Sequence, residues 1–218
     1  MEDLILTLVT YAIPVLFAIT FHEAAHAYVA KAFGDKTAWM LGRVSANPIR
    51  HIDLIGTILV PAGMLLLSSA AGSSMLFGWA KPVPVNFSRL RDPHRDMLWV
   101  AAAGPGANLL MAFFWALVMK LAILAPDLPV SNAMLAIGRA GILINVSLML
   151  LNLLPILPLD GGRILVSLMP PGLARTFSHL EPFGLTLLLF LLITGALGPI
   201  LYPAMGWVLN IIRYMFAL

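Results

Sequence analysis

Residues 4–33 read LILTLVTYAIPVLFAITFHEAAHAYVAKAF, an apolar run that carries HEAAH at positions 22–26. About 20 consecutive apolar residues suffice to cross the hydrocarbon of a bilayer as an α-helix, so this run is long enough to span. Further apolar runs follow at 52–71, 97–124 and 132–151, and again over 183–218, where Gly195, Gly198 and Pro199 interrupt the pattern. The composition agrees. Of 218 residues, 61% are hydrophobic and 11% charged, whereas soluble domains hold roughly a quarter charged residues and under half apolar ones. The fold expected is an all-α polytopic membrane protein with about five to six transmembrane helices. Gly56, Pro61 and Gly63 in run 52–71 suit a bent or re-entrant element, and a short extended or re-entrant segment is expected near 72–90. One membrane-embedded domain is expected over 1–218, with a core at about 4–170 and a C-terminal helical hairpin at about 183–218.

Composition also excludes chemistry. With no cysteine there are no disulfides and no thiolate metal ligands. A net charge of +3 is small, so the basic residues read as topology signals and not as a nucleic-acid surface. Glu2 and Asp3 open the chain where a signal peptide would be basic, and the first run is expected to be retained. Lys31, Lys36, Arg43 and Arg50 follow run one; Lys81, Arg89, Arg91 and Arg95 precede run three; Arg163, Arg175 and Arg213 come later. The positive-inside rule then puts the N-terminus outside and these clusters in the cytoplasm. Run 52–71 would then enter and leave by one face, with a full crossing as the alternative. Lys120 and Arg139 fit this scheme poorly.

The chemistry concentrates in His22, Glu23 and His26. On a helix, positions i and i+4 share a face, so the two imidazoles can bind one zinc, and Glu23 can reach a water at the metal as general base. Such polar groups inside an apolar helix are costly unless paired or metal-bound. Catalytic zinc sites usually have three protein ligands and an open position. Glu181, Asp92, Asp96 and Asp53 lie in loops or near segment ends. Asp160 instead follows the apolar run 152–159, where Pro155 and Pro158 break the helix, and Gly161 and Gly162 permit close backbone approach. Such irregular backbone at membrane depth is tolerated where it lines a cavity. Asp160 is therefore the candidate third ligand; the bland alternative is a helix cap.

Two signatures, HEAAH (22–26) and NLLPILPLDGG (152–162), resemble those of the site-2 protease family of intramembrane zinc metalloproteases. FGWAKPVPVNF (77–87) and AGPGANLL (103–110) are similar to further family segments, and the likeness covers about residues 15–170. The resemblance implies one zinc per chain on His22, His26 and Asp160, with Glu23 as catalytic base and Asn152 holding the substrate or the oxyanion. It maps a GxxxN pattern onto Gly104 and Asn108. No PDZ or CBS domain is recognisable, so a minimal form is expected. The implied activity is hydrolysis of peptide bonds in or near transmembrane segments of membrane-protein substrates. The implied setting is a prokaryotic plasma membrane, with the zinc nearer the cytoplasmic side.

Weaker signals complete the reading. Pro82 and Pro84 make 78–85 an extended edge beside which an unwound substrate could lie, with Lys81, Val83 and Val85 as candidate contacts alongside Asn152. A surface loop held by Trp79 is the equal alternative. Gly104, Gly106 and Asn108 are expected to serve helix packing. His51, His94 and His179 read as surface residues. The rival functions are a metal-ion transporter, which leaves Glu23 and Asn152 without roles, and a non-catalytic scaffold keeping a vestigial zinc site.

Overall fold

The computed structural model of the chain describes residues 2–45, 47 and 83–218, with the backbone alone for 2–8. Run 52–71, the 72–82 part of the expected extended segment, and His51, Trp79, Lys81 and Pro82 lie outside the described residues.

Among the described residues the fold is all-helical. Helix α1 spans Glu2–Ala32, α2 Thr37–Met40, α3 Pro93–Leu124 and α4 Ser131–Asn152. They are followed by α5 Asp160–Leu168, α6 Pro171–Ser178, α7 Glu181–Ile193 and α8 Gly198–Phe216. Three of them are long and apolar enough to cross a membrane: α1 from Val9, α3 and α4; α6 and α7, bent by 62° at their junction, would make a fourth. The chain is thus a multi-pass membrane protein, and the expected five to six spans are not reached among the described residues. The shortfall at the C-terminal end has a physical cause. At 1.5 Å per residue, the 13 residues of α7 extend about 20 Å, short of a hydrocarbon layer of about 30 Å.

Small residues let the three long helices approach closely. Ala18, Ala24, Ala27 and Ala30 give α1 a buried face. Gly138 and Gly141 of α4 receive α3; a Cβ at Gly141 would overlap the Trp115 indole. Around that contact, Ala112, Trp115, Ala116, Ile142, Val146 and Ile212 form the largest core cluster. Leu110, Phe114, Leu117 and Leu121 of α3 stay exposed, the pattern expected where lipid is the solvent.

The helix ends are built to place the site. Gly34 turns the chain after α1 at φ +111°, a conformation suited to glycine. Asp35 is buried there and accepts hydrogen bonds from the Thr37 N–H and Oγ1–H and from the Asn86 N–H. The Arg91 N–H donates to the Phe33 carbonyl at 3.0 Å. These bonds strap 83–91 across the end of α1, where Val83 and Val85 pack on Ala27 and Ala38. Residues 83–86 are non-helical and Phe87–Arg89 form a 3-10 turn, so only this part of the expected extended segment is seen. Asp92 then caps α3 by accepting from the Arg95 N–H, with Pro93 at the first helical position.

The C-terminal region holds two helices joined by a short break. The break falls at 194–197 with Gly195 at φ +70°, as its glycines suggest. α8, however, runs antiparallel to α4 over its whole length. Leu197 packs with Leu154, Ser147 donates to the Met205 sulfur at 3.4 Å, and Lys120 donates to the Ala217 carbonyl at 3.0 Å. Arg213 therefore sits beside Arg139 and Lys120, near the 125–130 joint and away from Arg163 and Arg175. Arg213 thus lies at the other end of the bundle from Arg163 and Arg175, with which the charge pattern groups it.

Candidate metal centre

α1 presents His22 and His26 one turn apart, with ring centroids 4.7 Å apart. α3 backs them with Gly104, where a Cβ would overlap both imidazoles. The proline-broken turn 153–159 ends α4 and starts α5 at Asp160, whose carboxylate turns toward the rings. Leu159 occupies the cap position of α5 without a side-chain bond, so Asp160 is not the cap that the bland reading offered.

The three donor atoms form a compact triangle. His22 Nε2 and His26 Nε2 are 3.1 Å apart, and Asp160 Oδ2 lies 3.3 Å from the first and 3.4 Å from the second. Tetrahedral ligands held about 2.0–2.1 Å from zinc are separated by about 3.3–3.4 Å. The edges of the triangle fit that ion.

Hydrogen bonding on the far side of each ring decides what the near side offers. His26 Nδ1 is 2.7 Å from the Val100 carbonyl, which can only accept. His22 Nδ1 is 2.7 Å from Asn108 Oδ1. The Asn108 amide nitrogen donates to the Ala18 carbonyl and to Asn145 Oδ1, which leaves its oxygen for His22. Both Nδ1 atoms therefore carry the proton, and both Nε2 atoms present lone pairs. In that tautomer the two lone pairs face each other at 3.1 Å and repel. Asp160 Oδ2 is buried without a hydrogen-bond partner. Three electron-pair donors in one buried place call for a cation, and a nitrogen–oxygen set suits zinc.

Glu23 Oε2 accepts the Val83 N–H at 2.7 Å, which joins the glutamate to the strap. The cavity before these groups holds about 520 Å³, and its lining includes His22, Glu23, His26, Asp160, Asn152 and Arg163. Asn152 thus reaches the cavity, with its Nδ2 donating to the Leu148 carbonyl at 3.0 Å. Val83 and Val85 also line it, while Lys81 lies outside the described residues. Of the remaining histidines, His94 is exposed and bonds the Met169 carbonyl.

Three features were missed or misread in the sequence. Asn108, expected to serve packing, instead holds His22 Nδ1 at 2.7 Å. Asn145 supports it from α4 by donating to the Gly141 carbonyl at 2.8 Å; a polar residue amid an apolar helix was the available signal. Arg163 lines the cavity, pairs with Glu181 at 3.1 Å and stands over the Phe87 ring at 5.0 Å. Gly104 does serve close packing, whereas nothing lies near a Cβ built at Gly106.

Comparison with known proteins agrees with this geometry. A Bacillus subtilis protein named as a zinc metalloprotease, YwhC, is 39% identical over 212 residues, which is 92% of this chain and 88% of its own. A Mycolicibacterium smegmatis protein named as a zinc metalloprotease, Rip2, is 28% identical over 88% of this chain and 70% of its own. Its Mycobacterium tuberculosis namesake is 27% identical over 93% and 71%. No protein-family profile matches the chain, and no solved structure does. Likeness to YwhC over nearly the full length of both chains joins the two signatures and the donor triangle in one conclusion: this chain belongs to the site-2 protease family of intramembrane proteases and is a zinc-dependent peptidase.

Proposed function

We propose that His22, His26 and Asp160 hold the zinc, that Glu23 is the general base, and that Asn152 positions the scissile carbonyl of a transmembrane substrate. The single observation that carries this reading is the triangle of His22 Nε2, His26 Nε2 and Asp160 Oδ2, with edges of 3.1–3.4 Å. Bound there, zinc supplies Lewis acidity and lowers the pKa of water to about 7.

The side chains divide the remaining work. Glu23 neighbours His22 in sequence, and its bond to the Val83 N–H fixes the orientation of its carboxylate. It takes the proton of the attacking water and returns it to the leaving amine. Asn152 spends one Nδ2 hydrogen on Leu148 and has a second for the developing oxyanion. A helical peptide hides its carbonyls in its own hydrogen bonds, so the substrate must unwind first. The strap 83–85, with Val83 and Val85 on the cavity and Lys81 preceding it, offers an edge beside which the unwound segment lies. Pro84 has no N–H and leaves that edge open on its side.

The substrate is accordingly a membrane protein, and the chain works as one domain over 1–218. Arg89, Arg91, Arg95, Arg163 and Arg175 gather at the end of the bundle that carries the site, which favours the cytoplasmic side of a prokaryotic plasma membrane.

Glu23→Gln tests the division between metal and base. The variant keeps one zinc per chain and loses cleavage of a membrane-spanning substrate by about 100-fold or more. Retained cleavage removes Glu23 from the mechanism, and lost zinc moves it into the ligand set.

A further inference from the structure

At the end of the bundle away from the metal, α3, α4 and α8 enclose a second cavity of about 480 Å³. Ile142, Leu143, Leu209 and Ile212 line it, and its charged liners are Arg139 and Arg213. Both arginines are exposed, and among the described residues neither has an ion pair. Lys120 adds a third positive charge nearby, although its ammonium is engaged by the Ala217 carbonyl at the end of α8. The cavity lining contains no acidic side chain among the described residues; its one carboxylate is the terminal group of Leu218. In sequence, the 125–130 joint carries only Asp127.

Arg139 lies eight residues into α4, about 12 Å from its start. A guanidinium within an apolar span is costly without a partner. Helix-end electrostatics account for Lys120 and, in part, for Arg213 in the last turn of α8. They do not account for Arg139. Two planar forks beside an apolar wall suit a ligand with a phosphate at one end and a hydrocarbon at the other. Basic pockets between membrane helices bind lipid head groups by this means.

We infer that Arg139 and Arg213 bind the phosphate of an anionic membrane phospholipid, with an acyl chain along Ile142 and Leu209. The apolar wall is what favours a lipid over free phosphate. Occupancy pins α8 to α4 at the end remote from the metal.

The test uses the full chain, purified in a neutral detergent and stripped of lipid. Phosphatidylglycerol, phosphatidylcholine and inorganic phosphate are added separately, and melting temperature and native mass spectra are recorded. Phosphatidylglycerol is expected to raise the melting temperature and to leave one bound lipid. In the Arg139→Gln/Arg213→Gln double variant its apparent affinity falls roughly 30-fold, with zinc content unchanged as the control for folding. If the double variant does not fold, Arg139→Gln alone replaces it, with a smaller fall expected. An equal response to phosphatidylcholine, an equal response to inorganic phosphate, or unchanged phosphatidylglycerol binding in the variant overturns the inference.

Discussion

The two ends of the helix bundle both carry ionisable side chains, and they hold them differently. At the metal end each imidazole is pinned from behind, His22 by Asn108 and His26 by the Val100 carbonyl. The groups left facing inward are all electron-pair donors. At the other end Arg139 and Arg213 come from two helices, face one cavity, and have no ion-pair partner among the described residues. The first arrangement is over-determined by neighbours and asks for a cation. The second leaves two guanidinium groups for an anion to bridge. In a bilayer, where water cannot relieve an unmatched polar group, the sign of the unmet charge indicates what must be bound.

The sharpest way to break the first half of this contrast is to add bulk behind the rings. Gly104→Leu pushes into both imidazoles, and zinc affinity is expected to fall by more than about 100-fold. Gly106→Leu, with nothing near its Cβ, leaves zinc content and activity unchanged. Equal effects from the two, measured by metal analysis of folded protein, would mean that Gly104 does not set the imidazole positions.

Removing the support behind His22 has a smaller consequence. Asn108→Ala frees the His22 Nδ1 and weakens zinc binding by about 10–100-fold. Asn145→Ala acts one bond further away and costs less. Competition with a chelator ranks the two, and an Asn145 effect larger than that of Asn108 would contradict the chain of bonds.

The smallest effect concerns the strap. Burial would raise the Asp35 pKa, but hydrogen bonds from Thr37 and Asn86, with the nearby Arg89 charge, outweigh it and hold the carboxyl below its usual value. A depressed carboxylate stabilises the fold above its unfolded pKa of about 3.9 and loses that contribution as pH falls through the folded value. Asp35→Asn is therefore expected to melt a few degrees lower at pH 7, with the gap closing as pH drops below about 4. A gap independent of pH assigns the effect to packing instead of charge.

Much of this was readable in the residues. Apolar runs located α1, α3 and α4 to within a few residues, because crossing a bilayer imposes both length and composition. HEAAH located two donors because helical spacing alone puts them on one face, and Pro155 and Pro158 marked the turn that delivers Asp160. What could not be read depended on pairing between distant segments. Asn108 looked like packing until His22 was seen 2.7 Å away. Arg213 sits beside Arg139 and away from Arg163 because α8 runs back along α4, a pairing that charge counting does not see.

The claim beneath the whole account is that two imidazoles of α1 and the carboxylate at the start of α5 share one zinc. Metal analysis and zinc-edge X-ray absorption of the purified protein, beside Asp160→Ala, test it most directly. The account predicts one zinc per chain with two imidazoles at about 2.0–2.1 Å, and loss of that zinc in the variant. A full complement of zinc in Asp160→Ala with an unchanged absorption spectrum would contradict it.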